Sequence, residues 1–272
     1  MSFGVPLGIA GVGLIGGSIA LRAKRRGIAV VGLDRDPVAA ALADSAAPSL
    51  EELASRCRTL VLALPIDETL QAIEALRART FPQLELVLDV ASVKVPVMQR
   101  ASAWALFAGT HPIAGAERGG AAHAREDLFS GRVWTYVPRD AARDAAVCAF
   151  IETMGSRPFA IDAEQHDRAL ALTSHLPQLI STALGSMLEE SGVRAELGGP
   201  GLASTLRLAG SPWGLWETIL RANAPAIGEA AREFAGRLAA LTEELAAGEL
   251  PCTASSFESA NRAYEKFARE TQ

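Results

Sequence analysis

The sequence predicts an α/β domain built on a mostly parallel sheet, followed by an all-α domain. Three observations predict it. Up to about residue 160, short apolar runs alternate with helical patterns, and strands that alternate with helices imply βαβ units. Runs such as VVGL (30–33) and LVLAL (60–64) lack polar alternation, as expected of strands covered on both faces. Beyond about residue 160 the strand signals vanish and helical patterns run to the end. The predicted domains are 1–161 and 162–272.

The elements follow in order. Val5–Ala10 is a strand candidate and Leu14–Arg26 a helix. Ala29–Leu33 is a second strand, Thr59–Leu64 a third ended by Pro65, Leu84–Val90 a fourth, and Phe107–Thr110 a short fifth. Helices are expected near 36–44, 67–79 and 94–105. In the second half, Asp162–Gly192 reads as a long helical stretch. Pro177 should kink or break it, because proline lacks the amide a helix interior needs. Ser211–Gly248 and Ala254–Arg269 are further helices, and Gly198–Gly201 is a loop.

The composition of the 272 residues, 49% hydrophobic and 21% charged, is that of an ordinary globular protein. A net charge of -5 argues against a nucleic-acid binder, which needs a basic face to displace counterions. The densest basic cluster, Arg22, Lys24, Arg25 and Arg26, fits the solvated end of a helix. Cys57, Cys148 and Cys252 are odd in number and far apart, so neither a disulfide framework nor a metal site is signalled. They are expected to be reduced thiols, two of them packed in apolar surroundings. No signal peptide and no apolar run of membrane-spanning length is expected, and the expected location is the cytoplasm. The helices of the second half are more apolar than a small domain can cover, which predicts a homodimer through them.

Gly11-Val12-Gly13-Leu14-Ile15-Gly16 is a G-x-G-x-x-G. Alone it is weak, but here it follows a strand and opens a helix, the context of a Rossmann-type dinucleotide site. Gly11 permits the tight turn, Gly13 lets the backbone approach a pyrophosphate, and Gly16 lets the helix pack on the strand. The helix start offers free N–H donors to the phosphates. Asp34 ends the second strand, 18 residues after Gly16. A carboxylate there accepts ribose hydroxyls and repels a 2′-phosphate, which favours NAD over NADP. Arg35, next in sequence, could instead hold that phosphate. Leu64 and Pro65, after the third strand, are expected on the nicotinamide side of the crevice.

Four segments beyond the fingerprint carry the chemistry. They are DVASVK (89–94), HPIAGAE (111–117) with DLFSGRVW (127–134), SHLP (174–177) and TLRLAGSPWGLW (205–216). With GVGLIGGS (11–18) they occur in this order in the prephenate and arogenate dehydrogenases of tyrosine biosynthesis, which the sequence resembles over almost its whole length. The fingerprint is common to many dehydrogenases; HPIAG and SHLP are much more specific. The resemblance implies NAD-dependent oxidation at C4 of a cyclohexadienyl acid with loss of the C1 carboxylate as CO2.

Such a reaction needs a group to take the C4 hydroxyl proton. His111 is the candidate, because imidazole titrates near neutral pH. Ser92 is expected to hydrogen-bond both His111 and the substrate hydroxyl, although from spacing alone it reads as a helix N-cap. The resemblance makes Arg207 the expected carboxylate clamp, a role guanidinium suits through two parallel bonds; without it the default is a solvated helix arginine. Ser174, His175 and Gln178 are expected at the substrate side chain, with a packed structural role equally open for His175. Glu117 is a candidate for an ion pair near the entrance or for a plain surface carboxylate. Trp216 is a candidate pocket wall or core residue. His123 and His166 lack such context and are expected at the surface.

One departure bears on substrate. Many prephenate-type members carry a second histidine after SHLP, where this chain has Gln178. A neutral amide is both donor and acceptor, which leaves prephenate and arogenate both open. No regulatory domain is expected after residue 272, so tyrosine feedback would act at the active site or the dimer interface. The competing readings are a Rossmann-plus-helices dehydrogenase of β-hydroxy acids or cyclic imino acids, and a catalytically silent NAD-binding scaffold. The former families usually place a lysine or small hydroxyl residue in the helical domain as the catalytic group; here the candidate is a histidine in the first half.

Overall fold

The computed structural model describes residues 3–115, 118–248 and 250–271, with side chains as far as residue 267. Six strands form one parallel sheet: β1 (Leu7–Ala10), β2 (Val30–Leu33), β3 (Ser45–Ala46), β4 (Thr59–Leu62), β5 (Leu86–Asp89) and β6 (Phe107–Ala108). Their order is β3-β2-β1-β4-β5-β6. That is the Rossmann order, whose reversal between β1 and β4 opens a crevice at the strands' carboxyl ends. The linking helices are α1 (Leu14–Arg25), α2 (Pro37–Ala40), α3 (Leu50–Arg56), α4 (Ile66–Arg77) and α5 (Val95–Arg100). β4 shows why the strand runs carry no alternation. Val61 packs into one apolar cluster with Ile9, Ile19 and Leu88, while Leu60 and Leu62 pack into another with Ile73, Val87 and Phe107. Successive side chains point to opposite faces, and both faces are covered.

The expected fifth strand splits at Gly109. Phe107–Ala108 edges the large sheet, and β7 (Thr110–Pro112) joins β8 (Val133–Tyr136) and β9 (Arg157–Ala160) in a second, three-stranded sheet. β7 is antiparallel to β8, and β8 is parallel to β9 across α6 (Ala141–Thr153). This small sheet was not expected. It matters because it carries His111, opposite Thr135. Trp134 and Phe150 bind it to the large sheet through the cluster around Ile9.

The second half is helical, as predicted, with different breaks. α7 (Ala163–Leu170) runs into a π turn (Ala171–His175) and then α8 (Leu176–Ser191). Pro177 sits in the first turn of α8, so the wider π turn precedes the missing amide and the helical run continues. Backbone torsions stay helical through His175 and Leu176. The Gly198–Gly201 loop is shorter than expected, because α9 (Pro200–Leu206) starts at Pro200, a favoured first-turn residue. Asn223, with φ -116° and ψ 21°, divides the expected 211–248 helix into α10 (Trp213–Ala222) and α11 (Ala224–Ala247). α12 (Pro251–Thr271) ends the chain.

The chain divides into two compact units, 1–224 and 225–272. Within the second, the Glu244 carboxylate of α11 accepts the N–H groups of Cys252 and Thr253 at 2.9 and 2.7 Å. It thereby caps α12, whose first N–H groups lack helical partners. Among the described residues no helix is long and apolar enough to cross a membrane. Cys57 is buried, Cys148 half-buried and Cys252 exposed, all as free thiols.

Candidate active site

The glycine fingerprint takes the shape its residues require. Gly11 has φ +86°, open to glycine but costly for residues with a Cβ. A Cβ on Gly16 would stand 1.9 Å from the Gly11 carbonyl oxygen, whereas one on Gly13 would meet nothing within 4 Å. Gly16 is therefore closed by the protein itself and Gly13 faces open space, where a pyrophosphate can approach. Leu14 and Ile15 begin α1 and pack against the core. Asp34 closes the loop: its Oδ2 accepts the Val12 N–H at 2.7 Å and its Oδ1 the Asp36 N–H at 2.9 Å. Each carboxylate oxygen has a second lone pair, so both can still accept a ribose hydroxyl. Arg35 pairs with Glu68 at 3.3 Å and is 89% exposed. Leu64 and Pro65 follow β4 at the crevice, and Leu64 packs on the core beneath. These residues fit an NAD-type dinucleotide.

The neighbouring strand end is built around a buried ion pair. Asp89, last residue of β5, accepts the N–H groups of Ala91 and Thr110 at 3.0 Å each and the ammonium of Lys94. Lys94 Nζ also donates to the Thr110 carbonyl at 2.7 Å. The Thr110 hydroxyl donates to the Asp89 carbonyl and accepts from Trp134 Nε1 at 3.0 Å. Asp89, Lys94 and Thr110 are all fully buried. Burial pushes the carboxyl up and the ammonium down, and each partner opposes the other's shift. Removing one member of such a pair costs about 3–5 kcal/mol. The effect is to fix Thr110, and with it the next residue, His111.

His111 is half-buried on β7. Its Nδ1 lies 3.0 Å from His166 Nε2, and His166 Nδ1 lies 2.8 Å from Asp167 Oδ1. Burial first, then the His166 ring, the Lys94 ammonium and the His175 ring, hold the His111 imidazole well below its ordinary pKa. The ring is thus neutral at neutral pH, as a proton acceptor must be. His166 is fully buried, which corrects its expected place at the surface; His123 is exposed. Asp167 does more than hold His166. Its two oxygens accept the N–H groups of Lys94 and Val95 at 2.6 and 2.8 Å. It therefore caps α5, the N-cap role that spacing alone gave Ser92. Ser92 is half-buried in the loop after β5, and the group bonded to His111 Nδ1 is His166.

Asn223 ties in the next ring. Its Nδ2 donates to the Asp167 carbonyl at 2.8 Å and lies 3.2 Å from His175 Nδ1. His175 is buried on the π turn, edge-on to Trp216 with ring centres 5.9 Å apart. Burial pushes His175 down to about 4. Ser174 beside it is half-buried. One turn on, Gln178 Nε2 donates to the Leu208 carbonyl at 2.9 Å and to Thr182 Oγ1 at 3.1 Å. Ser181 Oγ donates to the Thr205 carbonyl and accepts the Ala209 N–H, at 2.8 and 2.9 Å. These bonds staple the turn Arg207–Gly210 to α8, and Arg207 presents an exposed side chain there. Gln178 Oε1 and Trp216 Nε1 are buried with no partner among the described residues, a state that costs about 1–3 kcal/mol each unless a ligand or water answers it. Glu117 lies outside the described residues.

His111, His166, Asp167, Lys94 and His175 thus form one connected cluster. His166, Asp167, Lys94 and Asn223 were not singled out from sequence. Lys94 ends the DVASVK segment; His166-Asp167 is a polar dipeptide on a polar helix and carries no such mark. Among the described residues no group of three or more His, Cys, Asp or Glu is placed to hold a metal.

Comparison with known proteins gives the context. The family model described as prephenate dehydrogenase, nucleotide-binding domain, matches residues 18–157. That described as prephenate dehydrogenase, dimerization domain, matches 162–258. The chain is 32% identical over 258 residues, 87% of its length and 68% of the relative's, to "Probable prephenate dehydrogenase NovF" of Streptomyces niveus. It superposes on the crystal structure of Synechocystis arogenate dehydrogenase with TM-score 0.81 at 28% identity, covering 96% of this chain and 99% of that one. Prephenate dehydrogenase from A. aeolicus, solved with hydroxyphenyl propionate and NAD+, shares the fold with TM-score 0.86 at 22% identity, over 96% and 97% of the two chains.

Proposed function

The chain belongs to the prephenate dehydrogenase family, and we propose that it catalyses NAD-dependent oxidative decarboxylation of a cyclohexadienyl acid in tyrosine biosynthesis. Prephenate would give 4-hydroxyphenylpyruvate and CO2; arogenate would give tyrosine and CO2. The observation that carries the reading is the placement of His111. A neutral imidazole stands directly after Thr110, whose N–H is bonded to the end of β5, on the crevice edge that also bears the glycine fingerprint.

Gly11 to Gly16 and Asp34 hold the dinucleotide, with Leu64 and Pro65 along its nicotinamide side. When bound, its nicotinamide supplies the hydride acceptor for C4. His111 Nε2 takes the C4 hydroxyl proton, and Ser92 supports the same hydroxyl from the facing loop. Arg207 clamps a carboxylate through charge-assisted bonds of about 1.5–3 kcal/mol each. Ser174, His175, Gln178 and Trp216 form the wall toward the side chain, where Gln178 Oε1 offers a buried acceptor and Trp216 Nε1 a buried donor. Asp34 favours NAD, and Arg35, engaged with Glu68, is not needed for it.

The reading includes a homodimer through the C-terminal helices. Trp213 in the first unit and Leu245, Phe257 and Tyr264 in the second are 65%, 65%, 68% and 75% exposed, large apolar side chains that a partner subunit would cover. It also places the enzyme in the cytoplasm, in keeping with its free thiols. The test is a steady-state assay with prephenate and arogenate, each with NAD and NADP, beside 3-hydroxyisobutyrate as a control. Turnover of either cyclohexadienyl acid with NAD supports the reading; turnover of the hydroxy acid alone overturns it.

A further inference from the structure

The hydrogen bonds around His111 fix more than its position. Asp167 accepts two backbone N–H groups and is therefore an acceptor toward its third partner, His166 Nδ1. His166 must carry a proton on Nδ1. In the neutral ring that leaves Nε2 as a lone pair, 3.0 Å from His111 Nδ1. His111 then carries its own proton on Nδ1 and presents Nε2 as the free base. Reversing the direction of the central bond would put a second proton on His166 and a proton on His111 Nε2, a form that cannot accept one. The two directions of this single bond correspond to the site before and after proton uptake.

We propose that His166 and Asp167 are positioning residues that set the tautomer of His111 and receive its proton. The role rests on the reaction read above. As the substrate O–H bond breaks, a new N–H bond forms at His111 Nε2 and the electron pair stays with oxygen. The His111 Nδ1–H bond then breaks as an N–H bond forms at His166 Nε2. The resulting imidazolium lies against the Asp167 carboxylate, and His111 is neutral again. The arrangement answers a difficulty in the site. Burial and the Lys94 ammonium disfavour a cation on His111 itself, whereas one ring further in a carboxylate is in contact. The other titratable groups facing the pair are Asp89 and Lys94 from the end of β5 and the loop beyond it, and His175 from the π turn.

Two measurements test this. The chain has four histidines, so 15N-labelled imidazoles can be assigned and their tautomers read by NMR without substrate or NAD. At pH 8, His111 and His166 should both be Nδ1–H tautomers. An Nε2–H tautomer of His111 at pH 8 overturns the proposal, whatever the enzyme turns over. The second is His166→Gln, which keeps an acceptor for His111 Nδ1 but cannot take a proton. It should lower kcat about a hundredfold, shift the acidic limb of the kcat profile, and leave KM and NAD affinity unchanged. An unaltered kcat and pH limb, or a loss in kcat matched by equal losses in NAD binding and Tm, would mean that His166 only fills space. Absence of turnover of either acid by the unmodified enzyme would sink the reaction and leave the tautomer result standing.

Discussion

Alanine at Gly13 and alanine at Gly16 should fail in different ways, although the two glycines are three residues apart in one motif. At Gly16 the new methyl would lie 1.9 Å from the Gly11 carbonyl oxygen, against an ordinary contact distance of 3.4–4 Å. The start of α1 would have to retreat from β1 by about 1.5 Å, an overpacking that costs about 1–3 kcal/mol. Tm should fall by about 3–10 °C, and NAD affinity should fall with it as the N–H donors move. At Gly13 the methyl meets no protein atom within 4 Å, and φ -74° with ψ -148° lies at the margin of the β region, so alanine there meets a modest backbone cost and no clash. Tm should stay within about 3 °C. NAD binding should nevertheless weaken about 5- to 150-fold, because about 1–3 kcal/mol of steric cost falls on the ligand alone. Calorimetric titration with NAD and thermal melts of both variants decide the matter. Normal NAD affinity in Gly13→Ala would refute the placement of the pyrophosphate; a Tm loss equal to that of Gly16→Ala would refute the packing argument.

The other predictions follow from the cluster and its surroundings. His111→Asn should lose at least about a hundredfold in turnover with NAD affinity kept; unchanged turnover in stopped-flow or steady-state assays would remove it as the base. Arg207→Ala should raise KM for the acid steeply and leave NAD titrations alone, and an unaltered KM places the clamp elsewhere. Asp34→Ala should narrow the ratio of NAD to NADP efficiency, and a constant ratio excludes the ribose role. His175 is pushed down to about 4, so the fold favours its neutral form. Stability should be complete above about pH 6.5, where the unfolded ring is also neutral, and decline as pH falls toward 4, by about 3 kcal/mol at most. Denaturant melts at pH 7.5 and 4.5 should show that loss in the parent and a smaller one in His175→Gln; equal losses would disprove the assignment.

The parts of this fold legible from sequence are those in which one residue type has one physical use. The glycines, the apolar strand runs and Asp34 belong to that class, and β1, α1, β2, β4 and β5 lie where they were expected. The small sheet was hidden for identifiable reasons. β8 is four residues, VWTY, between a glycine turn and a proline, and β9 is four residues, RPFA, largely exposed. Neither is long enough to show a period. The site divides in the same way. His111 could be named from its motif, but its partner His166 lies 55 residues away on a helix with few apolar neighbours. His166 is bonded to a carboxylate whose other bonds reach 73 and 72 residues back along the chain. Pairings of that range leave no trace in local patterning.

The cap that Asp167 places on α5 joins the two halves of the polypeptide at one carboxylate. An amino-terminal fragment cut near residue 161 would retain the glycine turn and Asp34, and with them the means to grip a nucleotide. Its base would stand without orientation, beside a helix left open at its start. Competence for chemistry therefore needs α7 in place against the end of β5, and the nucleotide site alone does not confer it.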